Sequence, residues 1–95
     1  MKSTSPELDT LRIEIDKVNR GILELLQERV RLVLAVGDYK RRNSLPVYDP
    51  ERERSLLERL SSAARAPLDG DTVRRVFERL IDESRRIEQH HVQQR

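Results

Sequence analysis

From Leu8 to Tyr39 the chain repeats apolar residues at alternating steps of three and four. The series runs Leu8, Leu11, Ile15, Val18, Ile22, Leu25, Arg29, Leu32, Val36 and Tyr39, with one arginine among them. A heptad seam sustained this far predicts a single long α-helix. Leu26, Val33 and Ala35 widen the stripe. Ser5-Pro6-Glu7 reads as an N-cap, a proline at the first helical position and an acid in the first turn. Asn43, Ser44 and Pro46 close the segment, so the helix is expected over 6–42. Its length would be ~55 Å, whereas a compact chain of 95 residues has a radius of gyration of only ~12 Å. The roughly fifty residues that follow are too few to cover the seam, and a second copy of the chain is the simplest cover.

Two more helices follow. Asp49-Pro50-Glu51 repeats the start signal, Pro67 follows the segment, and the stretch from Asp69 to Asp71 opens the last one. The expected spans are 50–65 and 70–92. No strand-like alternation, internal repeat or low-complexity stretch occurs. The fold class is therefore all-α: three helices, one very long, in a single domain over 1–95. Residues 1–5 and 93–95 are expected to be disordered tails. Hydrophobic residues make up 36% of the chain against 38% charged, a thin apolar supply that again favours burial against a partner.

Composition also narrows the chemistry. Without cysteine there is no disulfide scaffold, thiol nucleophile or thiolate metal site. His90 and His91 are neighbours, which a helix points about 100° apart, so they form no ready chelating pair. These residues offer no ready metal site. Nineteen basic residues nearly cancel against 17 acidic ones, and one Phe, two Tyr and no Trp offer few stacking platforms. Nucleic acid is not the expected partner. No apolar run reaches membrane-spanning length and the N-terminus lacks an apolar signal core, so the expectation is a cytoplasmic protein away from membranes.

Polar residues break the apolar stripe of each helix. Arg29 occupies a seam position. It is either a snorkelling arginine at a helix edge or a buried cation that needs an anionic ligand. Lys40 follows eleven residues later, about 20° around the axis and ~16 Å along it, so the two could grip opposite ends of a small anion. Arg12 lies ~25 Å from Arg29 on the same helix, so it could join that site only from a partner chain. Taken singly, Lys40 and Arg12 read more readily as solvated surface cations, as most helical Lys and Arg are. Gly21 and Gly37 cost about 1 kcal/mol each inside a helix, and mark close helix approach, a ligand or mere tolerance. On the second helix, Asp49 is explained by capping, while Arg52 and Glu53 precede the stripe Leu56, Leu57 and Leu60. On the third, Ser84 and Glu88 continue the stripe of Phe77, Leu80 and Ile81. A back-bonded serine and a frayed helix end are the plain alternatives. Together these breaks describe a polar pocket in a helix bundle, suited to a small ligand with more than one negative charge.

The stretches LDTLRIEIDKVNRGILELLQERVRLVLAVGDYK, PVYDPERERSLLERL and LDGDTVRRVFERLIDES resemble the helical chorismate mutases. The resemblance spans about residues 8–91, and its specificity lies in R-x16-R-x10-K followed by D-x-x-R-E. It implies an intertwined all-α homodimer, two active sites, and conversion of chorismate to prephenate on the route to phenylalanine and tyrosine. It also implies roles. Arg29, and Arg12 of the partner subunit, would bind the substrate carboxylates. Lys40 would contact a carboxylate and the ether oxygen of the breaking bond. Arg52 and Ser84 would help hold the ring carboxylate. Asp49, through its backbone, and Glu53 would address the ring hydroxyl. Val36 and Ile81 would wall the pocket. Glu88 would face the ether oxygen where the bacterial pattern commonly has glutamine, with Gln89 as the alternative donor. Lys40, Glu88 and Arg29 are the implied catalytic groups. Some relatives need an activating partner enzyme, and the sequence identifies none.

The implied reaction needs no nucleophile, metal or cofactor, so none is expected. A unimolecular rearrangement needs its substrate folded into reactive geometry and its developing charge met by preorganised donors. An isochorismate pyruvate lyase shares the fold and much of the cationic pocket and is the nearest alternative. A non-catalytic helical dimerisation module is the other.

Overall fold

The computed structural model describes residues 5–93. They form three α-helices, α1 Pro6–Arg42, α2 Pro50–Ala63 and α3 Gly70–Gln93. Among the described residues there is no strand. The all-α, three-helix expectation is met, and only the ends of α2 and α3 differ from the expected spans. Ser5 and Gln93, expected in the tails, are the cap of α1 and the last residue of α3; the other expected tail residues lie outside the described range. The chain divides into two compact units, Met1–Leu32 and Val33–Arg95, with the division inside α1.

In the first unit α1 starts on the expected cap. Ser5 Oγ accepts from the Leu8 amide at 3.1 Å and the Ser5 carbonyl accepts from Asp9 at 3.0 Å. Exposed ion pairs at i, i+3, Glu14–Lys17 and Glu28–Arg31, decorate the outer surface. The seam itself faces water in this chain. Val18 is 62% exposed and Leu25 72%. Burying each such side chain is worth roughly 1.5–3 kcal/mol, so the bare seam leaves a large stabilisation unclaimed.

The second unit holds the end of α1 and both shorter helices. Ser44 takes a left-handed conformation, φ 56°. The Leu45 amide then reaches the Lys40 carbonyl at 2.8 Å and the Ser44 amide the Arg41 carbonyl at 3.3 Å. This is a Schellman stop with serine in the place glycine usually takes. Asp49 caps α2 by accepting from the Arg52 amide at 3.1 Å, and Asp69 caps α3 by accepting from Thr72 at 2.7 Å. Helix α2 ends at Ala63, two residues earlier than expected, because Ala64 is already extended. The turn from Arg65 to Leu68, with a cis Ala66–Pro67 peptide, reverses the chain there. Gly70 then opens α3 hard against α2, where an added Cβ would lie 2.8 Å from the Ser61 carbonyl oxygen. Leu56, Leu57 and Leu60 of α2 are half-buried, as are Phe77, Leu80 and Ile81 of α3. Val73 and Ser84 are the buried residues of α3, which packs on α2.

Candidate active site

The last turns of α1 carry Val36, Gly37 and Lys40. Gly37 is buried, Lys40 half-buried and Val36 exposed. The reason for Gly37 lies on α3. A methyl group there would overlap Oε2 of Glu88, and would stand 2.9 Å from the Glu88 Cδ and 3.1 Å from Arg41 Nη2. Glu88 therefore turns its carboxyl toward α1, where its side chain is only 15% exposed. Arg41 Nη1 lies 3.9 Å from Glu88 Oε2, while its Nη2 donates to Asp38 at 2.9 Å. His91 Nε2 comes within 3.5 Å of Asp38 Oδ2 but is not aligned for a hydrogen bond; that atom and Arg41 Nε are both buried without one.

A second cluster joins α2, α3 and the loop before α2. Glu53 stands in the first turn of α2, its amide bonded to the Asp49 carbonyl at 3.2 Å. Both its carboxylate oxygens accept from Nη2 of Arg85, at 2.7 and 2.5 Å. The Arg85 guanidinium also lies 5.1 Å from the centre of the Tyr48 ring, a cation–π distance. Its hydrogen bond to Glu53 holds the guanidinium above its ordinary pKa, more than offsetting partial burial.

The ten expected site residues are thus distributed unevenly. Arg12, exposed, and Arg29, half-buried, lie in the first unit. The other eight lie in the second. Glu53 and Ile81 line one open cleft of about 310 Å³ with Leu57, Glu78 and Asp82. Of its three carboxylates, that of Glu53 is paired with Arg85. Ser84 is buried one turn before Glu88, while Asp49 and Arg52 are exposed at the start of α2. Among the described residues the side chains of Arg12, Lys40 and Arg52 make no ion pair. Sequence reasoning missed Arg85, Tyr48, Arg41 and Asp38. Asp38–Arg41 and Asp82–Arg85 show only the i, i+3 spacing of ordinary surface pairs, and nothing local points from Arg85 to Glu53.

Helix α3 thus brings the Glu88 carboxyl to the end of α1, which carries Lys40, Arg41 and Arg42. That set can bind and orient an anion and supply hydrogen bonds to it. Comparison with known proteins gives the family: residues 11–89 match the family model for chorismate mutase type II. The chain belongs to the type II chorismate mutase family. All ten expected site residues fall inside the matched span. The T-protein of Enterobacter agglomerans is 42% identical over 79 residues, 82% of this chain and 21% of that protein. The bifunctional chorismate mutase/prephenate dehydratase of Escherichia coli K12 is 40% identical over 85 residues, 88% of this chain and 22% of that protein. The chain thus spans about a fifth of the length of these curated relatives. Among solved structures, form II of the chorismate mutase from Thermus thermophilus superposes with a TM-score of 0.83 at 38% identity, covering 87% of this chain and 94% of that one. Chorismate mutase from Helicobacter pylori, solved in complex with prephenate, gives 0.84 at 27% identity, covering 94% and 97%.

Proposed function

We propose that this chain is a chorismate mutase domain, converting chorismate to prephenate on the route to phenylalanine and tyrosine. It acts as an intertwined cytoplasmic homodimer. The observation that carries this is the family match over 11–89, a span that holds the whole R-x16-R-x10-K and D-x-x-R-E arrangement. The exposed seam of α1 supports the dimer, since a second copy would cover it.

The reaction is an isomerisation. The ether C–O bond breaks as a C–C bond forms between the enolpyruvyl methylene and the ring, and no proton leaves or joins the molecule. Arg29, and Arg12 of the partner subunit, fix the two carboxylates and so fold the side chain over the ring. Arg52 and Ser84 hold the ring carboxylate, Val36 and Ile81 wall the pocket, and Glu53 with the Asp49 backbone addresses the ring hydroxyl. Lys40 meets the negative charge that develops on the ether oxygen. Glu88 faces the same oxygen from α3 and can assist only while it carries a proton to donate, since a carboxylate would repel that charge. The Glu88 carboxyl reaches the α1 turn next to Val36 and Lys40, a placement that supports this role.

The test is chorismate depletion with product identification. Prephenate is the expected product. Turnover of isochorismate to salicylate and pyruvate, with chorismate untouched, would move the assignment to a lyase. No turnover of either would leave a non-catalytic dimerisation module.

A further inference from the structure

We propose that Arg85 is a positioning residue for the mutase reaction: it orients the Glu53 carboxylate toward the substrate's ring hydroxyl and neutralises its charge. The proposal rests on the chorismate mutase assignment and on the role given there to Glu53. Its own support is the geometry of the Arg85 cluster. Arg85 and Glu53 lie 32 residues apart on different helices, and both carboxylate oxygens are engaged. Neither group is fully exposed, at 39% and 30% for the side chains. Tyr48 stacks on the same guanidinium, and Asp82 lies 3.7 Å from it on the helix's own surface. One arginine thus ties the loop before α2 to the first turn of α2 and to α3.

The electrostatics explain why a mutase site needs this. A dianionic substrate is repelled by a bare carboxylate. Yet a carboxylate is the better acceptor for a ring hydroxyl, because charge-assisted hydrogen bonds are the stronger ones. A bound guanidinium reconciles the two demands. It cancels the net charge of Glu53, and it occupies only part of the carboxylate's four or so acceptor positions. The stack on Tyr48 limits the directions from which Arg85 can approach, so the remaining lone pairs of Glu53 keep a fixed aim.

The test is a double-mutant cycle on chorismate kinetics, with melting temperatures to confirm folding. Arg85→Leu in the wild-type background is expected to raise KM about tenfold or more, with a smaller fall in kcat. Arg85→Lys, which keeps the charge but not the planar fork, is expected to recover part of that loss. With Glu53→Gln there is no carboxylate to neutralise, so adding Arg85→Leu is expected to change KM little. An equal KM penalty in both backgrounds, or wild-type kinetics for Arg85→Leu, overturns the proposal while leaving the mutase assignment intact. A folded wild-type protein that leaves chorismate unchanged overturns both. Should Arg85→Leu fail to fold, Arg85→Gln carries the same comparison.

Discussion

Arg29 interrupts an apolar seam with a charge, and under the proposed function stability and catalysis ask opposite things of that position. Leucine there would complete the heptad pattern, and replacing a partly buried charge by an apolar group is often neutral or stabilising. The same change would remove a carboxylate contact, so Arg29→Leu is expected to lower kcat/KM by roughly a hundred- to a thousandfold. Its melting temperature should be unchanged or higher, and near-normal activity in the folded variant would make Arg29 a surface residue. Gly37 carries a similar opposition. Alanine is favoured over glycine by about 1 kcal/mol inside a helix, but the added methyl overlaps the Glu88 carboxyl. The carboxyl is the free end of a flexible side chain and would swing aside. Gly37→Ala is therefore expected to melt no lower than wild type while kcat falls ten- to a hundredfold, as a misplaced hydrogen-bond donor implies. Unchanged kcat would show that Glu88 does not meet the substrate from this position. The sequence marks Gly37 only as a costly residue in a helix. The side chain it makes room for stands 51 positions later, and no local pattern reaches that far.

Helix starts were legible because capping is local chemistry. Ser5, Asp49 and Asp69 each bond an amide three residues on, as the letters S-P-E, D-P-E and D-G-D suggest. The early end of α2 was not legible, since it follows from the turn at Arg65–Leu68 and the approach of Gly70 to Ser61. Nor was the clamp on Glu53, for Arg85 stands beside Ser84 off the apolar stripe and reads as solvated surface. The Asp69 cap has a pH signature. Its bonds from Thr72 hold the Asp69 carboxyl below the ordinary value of 3.8. The capping contribution is thus complete above that value and disappears as pH falls through the lower pKa of the folded state. Asparagine caps about as well and does not titrate. Thermal melts of Asp69→Asn are expected to lose less stability on acidification than wild type. Parallel losses would mean that the cap contributes nothing in acid.

At the scale of the whole molecule the exposed seam and the reach of Arg12 lead to one claim, that each active site is completed by a second chain. Melting temperature is then expected to rise with protein concentration; one that does not change would argue for a self-sufficient monomer. Complementation tests the claim most directly. If the site is shared, Arg12→Leu and Arg29→Leu would each spoil both sites of their own homodimer. In a mixed dimer, one site receives Arg29 from the first variant and Arg12 from the second, and is whole. Unfolding the two variants together, refolding them and assaying chorismate consumption should return about a quarter of wild-type activity, because half of the dimers are mixed and each has one intact site of two. A refolded mixture no more active than the separate variants would contradict a site shared between chains.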